Sequence, residues 1–194
     1  MERIAFTGNK GLLTRTLNND ATAYVGEPVK WVGLISIDVS FDLPSTPFPD
    51  DDIPDALVVN GTPSGSGTIT LRGIHIDDYT NLVSAIKNTT GTRIRFGEDL
   101  PPLRFSFSAN ESSVVNDMEL KHIFYNCRMT SIPAFSSSTK TEGEPTLRDI
   151  AIPITLTPLF YNDKKNRAIY DIVTSEDVDF NNLEDTIVFP TLLI

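Results

Sequence analysis

The sequence predicts a mostly β protein, a β-sandwich or barrel with one flanking α-helix, a long loop and an N-terminal arm. Three observations carry that expectation. Thirteen prolines and eleven glycines are spread through 194 residues, which divides the chain into segments too short for most helices. Several of those segments alternate apolar and polar residues with a period of two, as half-buried strands do. One stretch alone carries helical spacing.

Residues 1–29 are polar and weakly patterned, with isolated apolar residues among Thr, Asn and Gly. They read as an arm that orders against a neighbouring molecule. Residues 30–194 read as a single β domain. Its first clear strand runs from Trp31 to Phe41, with Trp31, Gly33, Ile35, Ile37, Val39 and Phe41 on one face. A loop rich in Pro and Asp follows over 42–64, long enough to imply that it carries function or is ordered by a partner. Gly65-Ser-Gly-Thr leads into a strand through Ile69, Leu71 and Gly73. Asp77 looks like a helix N-cap, and Tyr79, Leu82, Val83 and Ile86 have helical spacing, so a helix of about three turns is expected over 77–87.

β signals then return over Thr92–Phe96 and Leu103–Ser108. Leu120–Ile132 is a long strand that puts Ile123, Tyr125, Cys127 and Met129 on one side and His122, Phe124, Asn126 and Arg128 on the other. Residues 135–145 are a polar loop. Leu147–Leu159 aligns Ile150, Ile152, Ile154 and Leu156, while Pro153 and Pro158 in the opposite register argue for a sheet edge or a bulge. Ala168–Val173 and Thr186–Ile194 complete the strands. No internal repeat is present.

Composition narrows function. The net charge of −10, from 26 acidic and 16 basic residues, favours solubility and argues against duplex binding through a basic patch. Cys127 is the only cysteine, so no internal disulfide forms, and a reducing cytoplasm is expected. The opening residues lack the apolar run of a signal peptide, and no segment suits a bilayer. The sequons at Asn60, Asn88 and Asn110 read as accidental in that setting.

The search for chemistry finds no catalytic, cofactor or metal site. His75 and His122 are the only histidines, each inside a strand pattern and without a partner at a supporting spacing. Cys127 alternates with apolar residues, as a small buried hydrophobe does. Asp50, Asp51, Asp52 and Asp55 are the best metal candidates, yet they lack the glycine and glutamate of a calcium loop, so a solvated acidic loop is the preferred reading. Gly65-Ser-Gly-Thr lacks the spacing and lysine of a phosphate-binding loop.

One region is more specific. The strand before Ser45-Thr-Pro-Phe-Pro-Asp-Asp-Asp-Ile-Pro-Asp55, then Gly61, Gly65-Ser-Gly-Thr-Ile-Thr-Leu-Arg-Gly73 and the expected helix resemble the major tail (tail-tube) proteins of long-tailed, non-contractile bacteriophages. Phe124-Tyr-Asn-Cys-Arg-Met-Thr-Ser-Ile-Pro-Ala, the polar loop after it and Thr146–Pro158 resemble that family's closing half. The resemblance spans about Val32 to Leu159. It implies a sandwich or barrel of the tail-tube type and a virion protein assembled in the host cytoplasm. Hexameric rings would stack into a tube through which DNA passes without specific binding. Its implied partners are further copies of itself, the tape measure protein, the tail terminator and distal tail proteins, with no enzyme activity, cofactor or membrane. In that setting Pro49, Asp50, Asp51, Asp52 and Asp55 form an inter-subunit loop. Alternatives are another virion β protein (terminator, baseplate or decoration subunit), the inner tube of a contractile tail or injector, or a carbohydrate-binding β-sandwich. Trp31, in register with an apolar face, points to core packing rather than a sugar platform.

Overall fold

The first strand is one that the sequence conceals. The computed structural model describes residues 6–50, 53–73, 86–87, 90, 93–95, 103–113, 118–131, 149–163, 165–178, 180–183 and 185–191. In it β1 (Phe6–Leu17) lies inside the main sheet, between β2 (Tyr24–Trp31) and β9 (Arg104–Ser113). Residues 6–29 are therefore largely sheet, which corrects the expectation of an arm. Leu12, Leu13 and Leu17 are buried. The β1–β9 register slips at Gly8 and at Gly11, both at positive φ, so these glycines act as bulge residues that interrupt the apolar alternation.

The main sheet has the order β2-β1-β9-β10-β11-β6-β3, and every pairing in it is antiparallel. Its remaining members are β3 (Leu34–Asp42), β6 (Ser64–Arg72), β10 (Glu119–Met129) and β11 (Asp149–Leu156). β14 (Tyr170–Thr174) pairs beside β11 on the same flank of β10. The mostly β expectation holds. Among the described residues the one helical element is a 3-10 turn, Asn181–Leu183.

The sheet is curled. β2 and β3 stand at its opposite ends, yet only Val32 and Gly33 separate them in the chain. Trp31 ends β2 inside the same apolar cluster as Ile69, Leu71, Ile152 and Leu156, with Leu34 and Ile37 packed against it. Closing a sheet on itself is how a barrel removes exposed edges. Here the two ends meet only through the chain at Val32–Gly33, with no β2–β3 ladder among the described residues. The Arg72 N–H, donating to the Gly33 carbonyl at 2.7 Å, extends the β3–β6 ladder to that corner. The strand expected over 31–41 is thus two strands meeting at a bend. A register shift at Leu34/Ser36 leaves Ile35 exposed while Leu34, Ile37 and Val39 pack inward.

A bulge in β10 accounts for the remaining difference in facing. In β10 the ladder to β9 slips between Phe124 and Cys127, where Asn126 has a φ of 49°. Cys127 consequently joins Phe124 in the interior cluster, while Ile123 and Tyr125 face the other way, so the single alternation read over 120–132 breaks in the middle. In β11 the expected alignment holds, with Ile150, Ile152, Ile154 and Leu156 all buried. β10 covers that strand only over Ile154–Leu156, so Pro153 lies where this pairing ends, a position suited to a residue without an N–H.

A second apolar cluster lies on the opposite face of β1 and β10 and contains Leu13, Leu17, Ile123, Tyr125, Leu159, Leu183 and Ile187. Residues 186–191, expected as a strand, have no regular structure. They form a strap over this face, held by Arg15 donating to the Ile187 carbonyl at 3.1 Å and by Phe189 edge-on to Tyr24. The short strands β12 (Leu159–Tyr161) and β13 (Asn166–Ala168) pair nearby in sequence. The expected 77–87 helix falls mostly outside the described residues, and its last two positions are instead β7 (Ile86–Lys87), paired with β8 (Ile94–Arg95). The 135–145 loop also lies outside them.

Candidate functional site

The segment expected as a loop over 42–64 is a β-ribbon, which corrects that expectation. The β3–β6 ladder runs out to Asp42↔Ser64 and resumes as β4 (Ser45–Asp50) against β5 (Ile53–Asn60) from Ser45↔Asn60. Between the two ladders Gly61 donates to the Pro44 carbonyl at 2.7 Å. A Cβ on Gly61 would sit 2.9 Å from Pro44 Cγ, so only glycine passes that proline without displacement. The ladder turns irregular between Phe48 and Asp50, where Pro49 and Pro54 each lack an N–H.

The ribbon leaves apolar surface uncovered. Val58 and Val59 point to opposite faces, as adjacent strand residues must, yet they are 49% and 48% exposed, and Phe48 is 49% exposed. Neither face of this part of the ribbon is covered. A two-stranded hairpin is at best marginally stable alone in water. Its root, by contrast, is tied down. Phe41, at the end of β3, packs on Tyr170 (ring centroids 5.4 Å apart), Tyr170 on Phe124 (4.8 Å) and Phe124 on Phe107 (4.5 Å). That column runs from the ribbon into the interior cluster.

Beside the column a cavity of about 210 Å³ is lined by Phe41, Glu111, His122 and Tyr170 among others. His122 Nδ1 lies 2.5 Å from the Tyr170 hydroxyl and Nε2 lies 3.1 Å from a Glu111 carboxylate oxygen. Tyr170 donating to Nδ1 and Nε2–H donating to Glu111 satisfies all three groups. Burial first, and then Glu111, push the Tyr170 hydroxyl up to about 12, so it stays a donor at neutral pH. This chain braces the ribbon's root. Nothing local in the chain signals it, because residues 111, 122 and 170 meet through the β9–β10–β14 pairings.

The other singled-out residues fall as follows. Asp50 and Pro49 lie at the end of β4 and Asp55 lies in β5, while Asp51 and Asp52 are outside the described residues, as is His75. Cys127 is fully buried, burial pushes its thiol up, and it faces the Phe124 and Tyr125 carbonyls. Trp31 is buried, with Nε1 donating to Thr14 Oγ1 at 2.7 Å, which agrees with a packing role. Among the described residues no group of three or more His, Cys, Asp or Glu is arranged to hold a metal ion, and no helix is long and apolar enough to cross a membrane.

No family model matches the chain, and no curated protein matches it in sequence. Among solved structures, a chain from the six-fold symmetrised cryo-electron microscopy structure of the anti-feeding prophage baseplate is similar over 89% of this chain and 97% of that one. The identity is 6% and the TM-score 0.40. A likeness at that level transfers no function.

Proposed function

We propose that this chain is a structural subunit of a phage virion, and specifically the tail-tube subunit: hexameric rings of it stack into the conduit for the genome. The observation that carries the reading is the β4–β5 ribbon, rooted in the core by an aromatic column and apolar on both faces without a cover in the single chain. A second feature points the same way. Among the described residues β2 and β3 each pair on one side only, and such edges template pairing with another chain unless something covers them. The role needs no catalysis and no cofactor. In the assembled tail the subunit meets sister copies within and between rings, and at the ends of the tube the tape measure, terminator and distal tail proteins. With a net charge of −10 per chain, a lumen lined by acidic residues repels DNA and lets it slide.

The test is negative-stain electron microscopy with mass determination on purified protein across a concentration series. Hexameric rings or long tubes are the expected result. Closed single rings that never stack would assign a terminator-like role. A chain that stays monomeric at high concentration would overturn the reading, and binding on a glycan array would replace it with a carbohydrate-binding module.

A further inference from the structure

Two arginines are held side by side where a strand pair would ordinarily avoid them. Arg104 opens β9 and Arg128 stands near the end of β10, one step beyond the Cys127↔Phe105 pair of that ladder. Like charges across neighbouring strands destabilise a sheet. Burial and then Arg128 lower the Arg104 guanidinium from its ordinary value, and Asp20 partly offsets them.

Neither arginine is ion-paired with a carboxylate among the described residues, and Arg128 Nε is buried without a hydrogen-bond partner. Both line a cavity of about 490 Å³ together with Asp20, Thr22, Asn126 and Phe160. Its floor is prepared by the β10 bulge, where Asn126 Nδ2 donates to Thr157 Oγ1 at 2.8 Å and to the Pro158 carbonyl at 3.1 Å. Phe160 at the rim is about half exposed.

We propose that the Arg104–Arg128 cavity receives the acidic end of the β4–β5 ribbon of a second copy of this chain. The inference deepens the assembly reading and rests on it. Charge complementarity selects the occupant. Residues 42–64 contain Asp42, Asp50, Asp51, Asp52 and Asp55 and no Lys or Arg. Guanidinium forks match carboxylates in two-point contacts, and the half-exposed Phe48, Val58 and Phe160 supply apolar surface on both sides of the same contact. Among the described residues, no ribbon residue lines the cavity within one chain. Ribbon into cavity is a head-to-tail contact, the kind that closes into rings or propagates as filaments.

The experiment uses the full chain and two double variants, Arg104→Glu/Arg128→Glu and Asp50→Lys/Asp55→Lys, each checked for a wild-type far-ultraviolet spectrum and cooperative melt. Sedimentation velocity over a concentration series reads assembly. Each variant alone is expected to need at least about tenfold more protein than wild type to assemble, the change for loss of one charge-assisted contact. An equimolar mixture is expected to assemble near the wild-type concentration, because each kind of copy then offers the end that the other cavity accepts.

The milder Arg104→Gln/Arg128→Gln variant keeps the test open if charge reversal prevents folding; it is expected to melt no lower than wild type while assembling about tenfold less readily. Wild type that assembles while all the variants assemble equally well would overturn the cavity proposal and leave the assembly reading standing. Wild type that never assembles would remove both. Loss of binding to a duplex oligonucleotide in the arginine variants, with assembly unchanged, would overturn the proposal and make the cavity a polyanion site instead.

Discussion

The sheet around β1 and β10 and the ribbon β4–β5 are both antiparallel ladders, but their surroundings are opposite. β10 is covered on both faces: Phe124 and Cys127 enter the interior cluster, and Ile123 and Tyr125 lie with Leu183 and the 186–191 strap in the second. The ribbon has comparable β-forming residues, Phe48, Val58 and Val59, with no cover over them. Backbone pairing is thus the same in the two regions, and burial is what separates them. Apolar burial contributes about 25 cal/mol per Å², so the same substitution should weigh very differently in each.

The largest effect is expected where the cover is complete. Phe107→Ala, which removes a fully buried ring stacked on Phe124, should cost about 3–5 kcal/mol, a large share of the usual 5–15 kcal/mol of a domain. Urea unfolding followed by tryptophan fluorescence reads it, and a midpoint unchanged from wild type would place the interior cluster elsewhere.

Next comes Gly67→Ala. A Cβ there would stand 2.3 Å from the Asp38 carbonyl oxygen and 2.9 Å from Val39 Cγ2, so β3 must move off β6 at the ribbon's base. Overpacking of this kind costs about 1–3 kcal/mol. Thermal melting should show the loss, and faster amide exchange confined to β3 and β6 would locate it.

Tyr125→Phe should cost about 1–2 kcal/mol at neutral pH, since the hydroxyl donates to Asp171 at 2.9 Å and its removal leaves that acceptor short. It also has a pH signature. Burial, then Asp171, raise the Tyr125 hydroxyl above its model-peptide value of 10.0, and burial raises Tyr24 and Tyr170 likewise. Folded values above the unfolded ones mean that the neutral tyrosines stabilise fully below about pH 10 and lose that contribution as pH rises further. The melting temperature of wild type should therefore fall steeply above pH 10 and that of Tyr125→Phe less steeply. Equal slopes would remove Tyr125 from the alkaline transition.

The smallest effect on folding is expected on the ribbon. Phe48→Ser with Val58→Thr should change stability by no more than about 0.5 kcal/mol while abolishing rings or tubes in the microscope. Loss of several kcal/mol in the isolated chain would show that the ribbon is covered after all, and the comparison between the two regions would collapse.

Several strands were legible because one face of each is buried. The alternation in β11 identified Ile150, Ile152, Ile154 and Leu156 as core, and the position of Trp31 and Cys127 among apolar residues identified both as packed. β1 was not legible, because bulges at Gly8 and Gly11 shift the side chains out of a two-residue pattern. The ribbon reads as a loop in the sequence because it alternates little and carries four prolines from Pro44 to Pro54, signals that ordinarily mark the absence of a ladder. The Arg104–Arg128 cavity had no local sign at all. A reader of the chain could have noticed only that one arginine opens β9 and another stands near the end of β10.

By itself, then, the amino-acid sequence determined that this protein is built mostly from β-strands, which apolar side chains share a face in β6 and β11, and that acidic residues are grouped within 42–64. Only the tertiary structure decided that β2 and β3 bring the ends of the sheet together, that β10 changes face at Asn126, and that two distant arginines meet. The reason is the range of the interactions. Facing within a strand follows from backbone geometry between adjacent residues, whereas register and closure depend on which distant strand supplies the hydrogen bonds, and no short stretch of chain encodes that choice.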